Sequence, residues 1–415
     1  MFLKLKSFFL FFLLVMELHS FAQDFWEQLY FPDTVSIKCI STNNQGHIFI
    51  GTGATTEIGA LYRSIDNAQT WETMFNNGSL SISCIDINEN GKIFLGKNGP
   101  ESIVMSEDNG QTWEVADLPD VSFGNVMKIF CIGNDTIYVS LWGGNGSLIT
   151  FSFDGGNSWE HTYINSESNA YASDIDMTSS GELYVSTIGM NNNTGGVYKS
   201  IDGGYSWDFT GLFNHQVYCL EINPLNEVFT GDWDSFYPEP NGIYALLEGQ
   251  TEFEKVANGY HITDIAISEE NEIFVTSNGS IYRSNDNGET FENIQDENSQ
   301  YIKKLYIDQN NLLYGIKQDK LIRSIDPLIT NINTIAKDNI CIYPNPSRDY
   351  ISFEGPTAID VPYLIEITNI QGECVYSKLI QVENSYINIK DLQHGVYVFE
   401  IKNSDDFYQS KFIKQ

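Results

Sequence analysis

Positive charge is scarce in this chain. Only 22 Lys and Arg stand against 55 Asp and Glu, giving a formal net charge of −33 with no dense acidic tail. A field of that sign repels phosphate backbones and anionic lipid, so neither a nucleic acid nor a membrane surface is expected as partner. Cysteine is sparse as well, with six in 415 residues. Cys39, Cys84 and Cys219 hold the same rank on separate repeats, too far apart for the roughly 7 Å that a disulfide tolerates, and read as small buried hydrophobes. Beyond residue 22 no apolar run reaches membrane-spanning length, so an integral membrane protein is not expected. Metal-ligand spacings of the H-x-x-x-H or D-x-D-x-D-G kind, phosphate loops and a G-x-S-x-G elbow are all missing, so the reading includes no metal and no cofactor.

What the chain has in quantity is repetition. The stretch Ser152-Phe153-Asp154-Gly155-Gly156-Asn157-Ser158-Trp159 recurs as residues 64–71, 106–113, 200–207 and 284–291, following S-x-D-x-G-x-S/T-W/F. The copies place Asp66 with Trp71, Asp108 with Trp113, Asp154 with Trp159, Asp202 with Trp207 and Asp286 with Phe291. Only the first departs, with Ala68 at the glycine. The pattern suits a tight hairpin: Asp accepts backbone N–H groups, Gly takes a positive φ, and the aromatic enters the next strand.

Upstream of each copy lies an apolar strand, a polar turn and a strand rich in Ile, Phe, Tyr and Val, first seen in residues 39–51. Further copies centre on Phe94, Tyr138, Tyr184, Phe229, Phe274 and Tyr314, which makes seven. The outer aromatics, with Phe253 where the fifth module lacks its box, are spaced by 42, 46, 48, 46 and 38 residues. Four strands per unit at that period is propeller spacing. The seventh module breaks off at Pro327, while Asp24-Phe25-Trp26-Glu27 resembles the missing outer strand. The amino-terminal strand is therefore expected to complete the seventh sheet.

The eight-residue frame resembles the Asp-box, or BNR, repeat of sialidases, sortilin-type receptors, photosystem assembly factors and xyloglucan hydrolases. The resemblance covers residues 24 to about 330 and implies an all-β, seven-bladed β-propeller whose boxes are structural. Residues 1–22 read as a signal peptide: Lys4 and Lys6, an apolar run from Phe8 to Val15, then Ser20-Phe21-Ala22. The propeller is placed at 23–327 and a linker at 328–339. Residues 340–415 alternate as short strands of a small β-sandwich. Its phrases Ile342-Tyr343-Pro344-Asn345-Pro346 and Leu392-Gln393-His394-Gly395-Val396-Tyr397 resemble the C-terminal sorting domain of the type IX secretion system of Bacteroidetes. That resemblance implies contact with the secretion machinery and a secreted or outer-surface location reached through the periplasm.

In an antiparallel four-stranded unit, the box turns lie opposite the second-to-third loops and the links between units. The variable loop face is thus the expected binding face. Trp142 and Trp233 are the two tryptophans outside the outer rank. Asp232-Trp233-Asp234-Ser235-Phe236-Tyr237 forms the richest loop, and the links add Tyr260 and His261. Flat rings beside carboxylates suit a glycan or an extracellular protein. Trp142, Asp232, Trp233, Asp234, Tyr237, Tyr260 and His261 are therefore the candidate ligand-binding residues, with none assigned to catalysis. The inner-strand carboxylates Asp86, Asp174, Asp176, Glu221 and Asp264 are expected to form a solvated acidic lining near the axis.

A sialidase needs three convergent arginines. Arg63, Arg283 and Arg323 all precede a box serine and stand on separate units. The xyloglucan hydrolases resembled use two propellers, and this chain has material for one. The expectation is a monomeric binding protein without chemistry; the alternative is a glycoside hydrolase using a carboxylate pair on the loop face, such as Asp232 or Asp234 with Asp174 or Asp176.

Overall fold

The computed structural model describes residues 25–328, except 33, 54–58, 77–80, 100–101, 119–123, 144–145, 165–169, 190–194, 234–240, 260 and 297. It also describes 341–414, except 344–346, 355–362, 370–373, 381–386, 391 and 403–406. The signal-peptide expectation, and all of the expected linker after residue 328, lie outside these residues. The chain divides into two compact units, 1–328 and 329–415.

In the first unit the described strands fall into seven antiparallel groups of four. Inner strands are Ile37–Thr42, Ile82–Ile87, Gly124–Ile132, Ala170–Met177, Val217–Ile222, Ile262–Ile267 and Lys304–Ile307. They touch one another in that order, and the seventh touches the first, so the ring closes. Second strands such as Ile48–Thr52 and Leu183–Gly189 are buried nearly throughout, because neighbouring sheets cover both faces. Each presents an aromatic to the inter-sheet core: Phe49, Phe94, Tyr138, Tyr184, Phe229, Phe274 and Tyr314 are all buried. Outer strands such as Glu72–Phe75 and Glu114–Val115 face solvent.

The seventh sheet is built from both ends of the unit. Trp26–Leu29 pairs antiparallel with Lys320–Ser324, setting Trp26 opposite Ser324 and Leu29 opposite Leu321. Trp26 is 1% exposed and packs with Phe274, Ile281, Ile302, Leu313 and Ile322, while Glu27 forms an ion pair with Arg323. Across the seam to the first sheet, Tyr306 Oη and Thr42 Oγ1 lie 2.9 Å apart and the Ile37 N–H donates to the Gln318 carbonyl at 2.7 Å.

All five boxes fold identically. In residues 152–159 the Ser152 hydroxyl donates to Asp154 Oδ1 at 2.8 Å and accepts the Gly156 N–H at 2.8 Å. The Ser158 N–H and hydroxyl donate to the two oxygens of Asp154 at 2.8 and 2.6 Å. The same bonds recur around Asp66, Asp108, Asp202 and Asp286. In the first four boxes the serine or threonine hydroxyl at the seventh position, then its N–H, holds the carboxyl down at about 2. Asp286 is also lowered, burial opposing the Thr290 bonds.

Each box then locks onto the preceding sheet through its fourth residue. Arg63 Nη1 donates to the Asn109 carbonyl at 2.8 Å, Lys92 Nζ to Gly155 at 2.7 Å and Tyr138 Oη to Gly203 at 3.1 Å. Arg323 reaches Asn67, and Asn287 donates to the buried Glu227 at 2.8 Å. The box is thus a staple between sheets, and its fourth and fifth residues both take positive φ. The fifth is Gly where space is also short: a Cβ on Gly156 would lie 2.7 Å from Met105 Sδ. In the first box Ala68 bears φ 64° and its methyl is buried beside Leu29 and Tyr314. The left-handed strain of about 1–2 kcal/mol there is offset in part by roughly 0.8 kcal/mol of buried methyl.

In the second unit, Cys341–Tyr343, Tyr350–Glu354 and Ile387–Asn388 form one sheet. Cys374–Ile380, Tyr363–Asn369, Gly395–Lys402 and Phe407–Lys414 form the other. Ile351, Phe353 and Ile387 meet Ile365, Ile367, Phe399 and Phe412 in a shared core. The strand Cys341–Tyr343 pairs with Ser352–Glu354.

Two outcomes are expected in chemical denaturation. Trp26→Ala should destabilise the ring by about 3–5 kcal/mol, the usual cost of emptying a buried aromatic site; an unchanged midpoint would mean the amino-terminal strand does not close it. Gly156→Ala should cost at least about 1–2 kcal/mol, whereas Ala68→Gly should change stability by less than about 1 kcal/mol in either direction. Equal effects would refute the packing account of the box glycine.

Candidate functional site

Near the loop face, six of the seven inner strands carry a bulge at one rank, between Ile37 and Cys39, Ile82 and Cys84, Val126 and Lys128, Ala172 and Asp174, Val217 and Cys219, and Ile262 and Asp264. The residues just past it, with Lys304 in the seventh sheet, are three thiols, two carboxylates and two ammoniums. Lys128 Nζ lies 3.2 Å from Asp174, and Lys304 Nζ lies 3.2 Å from Asp264. Each thiol instead faces a glycine: a Cβ on Gly96 would fall 2.4 Å from Cys84 Sγ. Cys39, Cys84, Cys131 and Cys219 are free, and burial pushes the Cys84 thiol up to about 12.

Of the acidic residues expected as an axial lining, Asp86, Asp176, Glu221 and Asp264 do line a central cavity, and all of the five but Glu221 also stitch one sheet to the next. Asp86 accepts the Cys131 N–H at 2.7 Å, Asp174 that of Leu220 at 3.2 Å, Asp176 that of Ile222 at 2.7 Å and Asp264 that of Leu305 at 2.7 Å. Each ties its own sheet to the next, because a carboxylate is the acceptor an inner-strand N–H would otherwise lack. At the level of the bulges this cavity measures about 410 Å³, and Lys38, Lys128 and Lys304 line it together with the carboxylates. Burial raises Asp86, Asp264 and Glu221, the last also through Asp176, and brings Asp176 to about 6. Asp174 beside Lys128, and Asp264 beside Lys304, hold those ammoniums above their usual range. The lysines were missed in the sequence, though their rank with Cys39, Cys84 and Cys219 was there to be counted. Among the described residues no cluster of His, Cys, Asp and Glu is arranged to hold a metal ion.

Above this layer, the loop face gathers aromatic rings. Trp233 is 36% exposed; Tyr218 and His261 each lie 4.9 Å from it, centroid to centroid. Trp142 is 42% exposed and 6.0 Å from Tyr171, whose hydroxyl stands close enough to that of Tyr218 for each to perturb the other. One arc, Trp142, Tyr171, Tyr218, Trp233 and His261, therefore spans the third to sixth sheets. Tyr171 and Tyr218 stand at the starts of inner strands, where the turn from link to strand lifts them to the rim.

Of the candidate residues, Trp142, Trp233 and His261 lie in the arc. Asp232 does not present its carboxylate to ligand: it is 1% exposed, accepts the Gly242 N–H at 2.6 Å and meets His215 Nδ1 at 2.8 Å. That pairing puts the imidazole proton on Nδ1 and leaves Nε2 as an acceptor when the ring is neutral. Asp234, Tyr237 and Tyr260 lie outside the described residues. Tyr218 escaped the sequence reading because it sits inside an inner strand, and only the bulge turns it outward. The link carries strain too: Leu212, Asn214 and His261 hold φ of 58°, 66° and 52°.

Comparisons with known proteins agree with this architecture. Residues 341–415 match the family described as the secretion system C-terminal sorting domain. Such a domain marks proteins exported by the type IX secretion system to the cell surface or extracellular space, and it implies interaction with that machinery. No curated protein matches the chain. Among solved structures the chain is similar to PorZ, a surface component of the type IX secretion system of Porphyromonas gingivalis, at 15% identity and TM-score 0.54, over 91% of this chain and 59% of PorZ. It is similar to YCF48 bound to D1 peptide, at 15% identity and TM-score 0.56, over 72% of this chain and 96% of that one. It is also similar to the extracellular domain of the putative hybrid two-component system BT3049 from B. thetaiotaomicron, at 14% identity and TM-score 0.56, over 94% and 57%. These likenesses show an all-β propeller fold. The chain spans under two thirds of PorZ and of the BT3049 domain. Among the described residues no helix is long and apolar enough to cross a membrane.

The axial carboxylates give a pH prediction. Asp176 titrates ordinarily near 3.8 and here near 6, so its contribution to stability is most favourable below about pH 4 and is lost as pH rises through 6. The box aspartates act oppositely, stabilising above about pH 4 and losing that support as pH falls towards 2. Asp176→Asn, whose amide oxygen keeps an acceptor for Ile222, should gain stability relative to the parent chain between pH 4.5 and 7.5 in urea titrations. A pH-independent difference would contradict the assignment.

Proposed function

We propose that the chain is a seven-bladed Asp-box propeller, exported after loss of its first 22 residues, that binds an extracellular glycan or protein on its loop face without chemistry of its own. The observation that carries this reading is the arc of aromatic rings at the loop-side mouth, two of them tryptophans more than a third exposed. Exposed tryptophans on a rigid ring lose little conformational entropy on binding and supply large contact areas. The sorting domain supports the location, since residues 341–415 direct the propeller to where extracellular polymers and proteins are met. The proposed organisation is propeller 23–327, linker 328–339 and sorting sandwich 340–415, acting as a monomer without metal or cofactor.

Hydrolysis is disfavoured by what surrounds the carboxylates. Asp232 is sealed beneath His215, and Asp174 and Asp176 are bound to neighbouring backbone N–H groups. None of the three is free to serve opposite a second carboxylate across a sugar.

The test is a screen of the full chain against surface polysaccharides and extracellular proteins, with product formation followed alongside capture. Binding without turnover, weakened more than tenfold by Trp233→Ala at unchanged melting temperature, is the expected result. Product release by the parent chain would establish the hydrolase instead, and binding indifferent to Trp233 and Trp142 would move the site elsewhere.

A further inference from the structure

We infer that the arc around Trp233 takes a linear, uncharged, β-linked hexose chain; this rests on the reading of the loop mouth as a binding surface and names its ligand class.

The stacking surface comes first. Trp233 has Tyr218 on one side at 40° and His261 edge-on at 89°, both at 4.9 Å, and its exposed part lies on the rim rather than in the core. Trp142 and Tyr171 continue the line across two further sheets. Rings set along an arc match a polymer that offers the same flat face at each unit. A β-linked hexose with equatorial hydroxyls is such a unit: its axial C–H groups form an apolar face, and its hydroxyls form a polar edge.

Polar atoms stand at the edge of this surface. Gln216 Oε1 and His261 Nδ1 are buried without a hydrogen-bond partner among the described residues. The His261 ring lies 4.9 Å from that of Trp233, and the Trp233 backbone N–H donates to the Gln216 backbone carbonyl at 3.0 Å. A buried polar atom left unpaired costs about 1–3 kcal/mol, which a hydroxyl of the ligand would relieve. The His215 imidazole, oriented by Asp232 at 2.8 Å, adds another group of fixed direction on the same link. On the link before Gln216, Leu212 adopts a left-handed φ of 58° that its residue type seldom takes.

Charge selects within the sugars. The described residues of the segments that bear the arc (141–143, 170–171, 212–218, 232–233 and 259–262) contain no Lys or Arg, and the chain carries −33. A uronic or sulfated chain would meet no counter-charge on these segments, and the axial ammoniums of Lys128 and Lys304 are already paired with Asp174 and Asp264. A peptide bound in extended form draws its affinity from a ladder of strand-edge N–H and C=O groups. In this unit the open edges of the inner strands face the axial cavity beneath the arc.

Calorimetric titration of the full chain with cellohexaose, laminarihexaose and hexagalacturonic acid tests the inference, with a random peptide library screened in parallel. At least one neutral hexaose should bind, its disaccharide at least tenfold more weakly, and the uronic chain not measurably. Trp233→Ala and Tyr218→Ala should each weaken binding tenfold or more with the melting temperature held, and Trp233→Phe by less than fivefold. If a variant fails to fold, quenching of tryptophan fluorescence by the hexaose in the parent chain, lost in Trp233→Phe, reports the same contact. Failure of both neutral hexaoses, equal binding of the uronic chain, or affinity indifferent to Trp233 and Tyr218 overturns the inference. Peptides captured in a Trp233-dependent way, with no hexaose bound, would leave the mouth a binding surface and refute the sugar alone; no Trp233-dependent ligand of either kind would refute both.

Discussion

The constraint on which this structure depends is that a propeller sheet cannot bury itself. Each second strand is apolar on both faces, so it is stable only with a neighbouring sheet on either side, and seven such demands are met only if the ring closes. Closure here is non-covalent. Trp26–Leu29 contributes the last strand to a sheet whose other three arrive some three hundred residues later, and a buried tryptophan anchors it. A bond ladder that joins the beginning of a chain to its end has a high loop-closure cost, offset once the inter-sheet cores form around it.

Between sheets the stitching occurs at two radii. Near the rim, the fourth residue of each box is gripped by an arginine, a lysine, a tyrosine or a glutamate of the sheet before it. Near the axis, carboxylates of one inner strand accept the N–H groups of the next. The two sets respond to acid in opposite directions, since the box carboxyls are held low by hydrogen bonds and Asp86, Asp176 and Asp264 are raised by burial. The loop mouth thus stands on a scaffold tied at the boxes and, from the second sheet to the third, the fourth to the fifth and the sixth to the seventh, near the axis as well, and a fixed rim is what lets five rings from four sheets line up.

Much of this was legible in the chain itself. The box bonds are local, all within four residues, so their pattern survives in the letters. The lost outer strand of the seventh unit and its stand-in at Trp26 were visible because aromatic spacing is a count. What was not legible is what depends on neighbours distant in sequence. Asp86, Asp176 and Asp264 line the axis as read, but nothing in sequence says which backbone N–H they and Asp174 will meet. Asp232 read as ligand-binding from its place beside Trp233, yet the fold turns it inward onto His215. Tyr218 went unremarked because it lies within an inner strand, at a bulge between Val217 and Cys219 that the sequence does not announce. Ala68 looked like a defect in the repeat and proves tolerable because that one seam has room for a methyl.

Ring closure is tested most directly by native-state hydrogen exchange at single-residue resolution. The amides of residues 26–29 and 321–324 should exchange only by unfolding of the whole propeller, with the same protection as those of the central strand 137–141. Exchange of the end strands that is orders of magnitude faster would show them fraying independently, and the common rim on which the binding arc stands would lose its foundation.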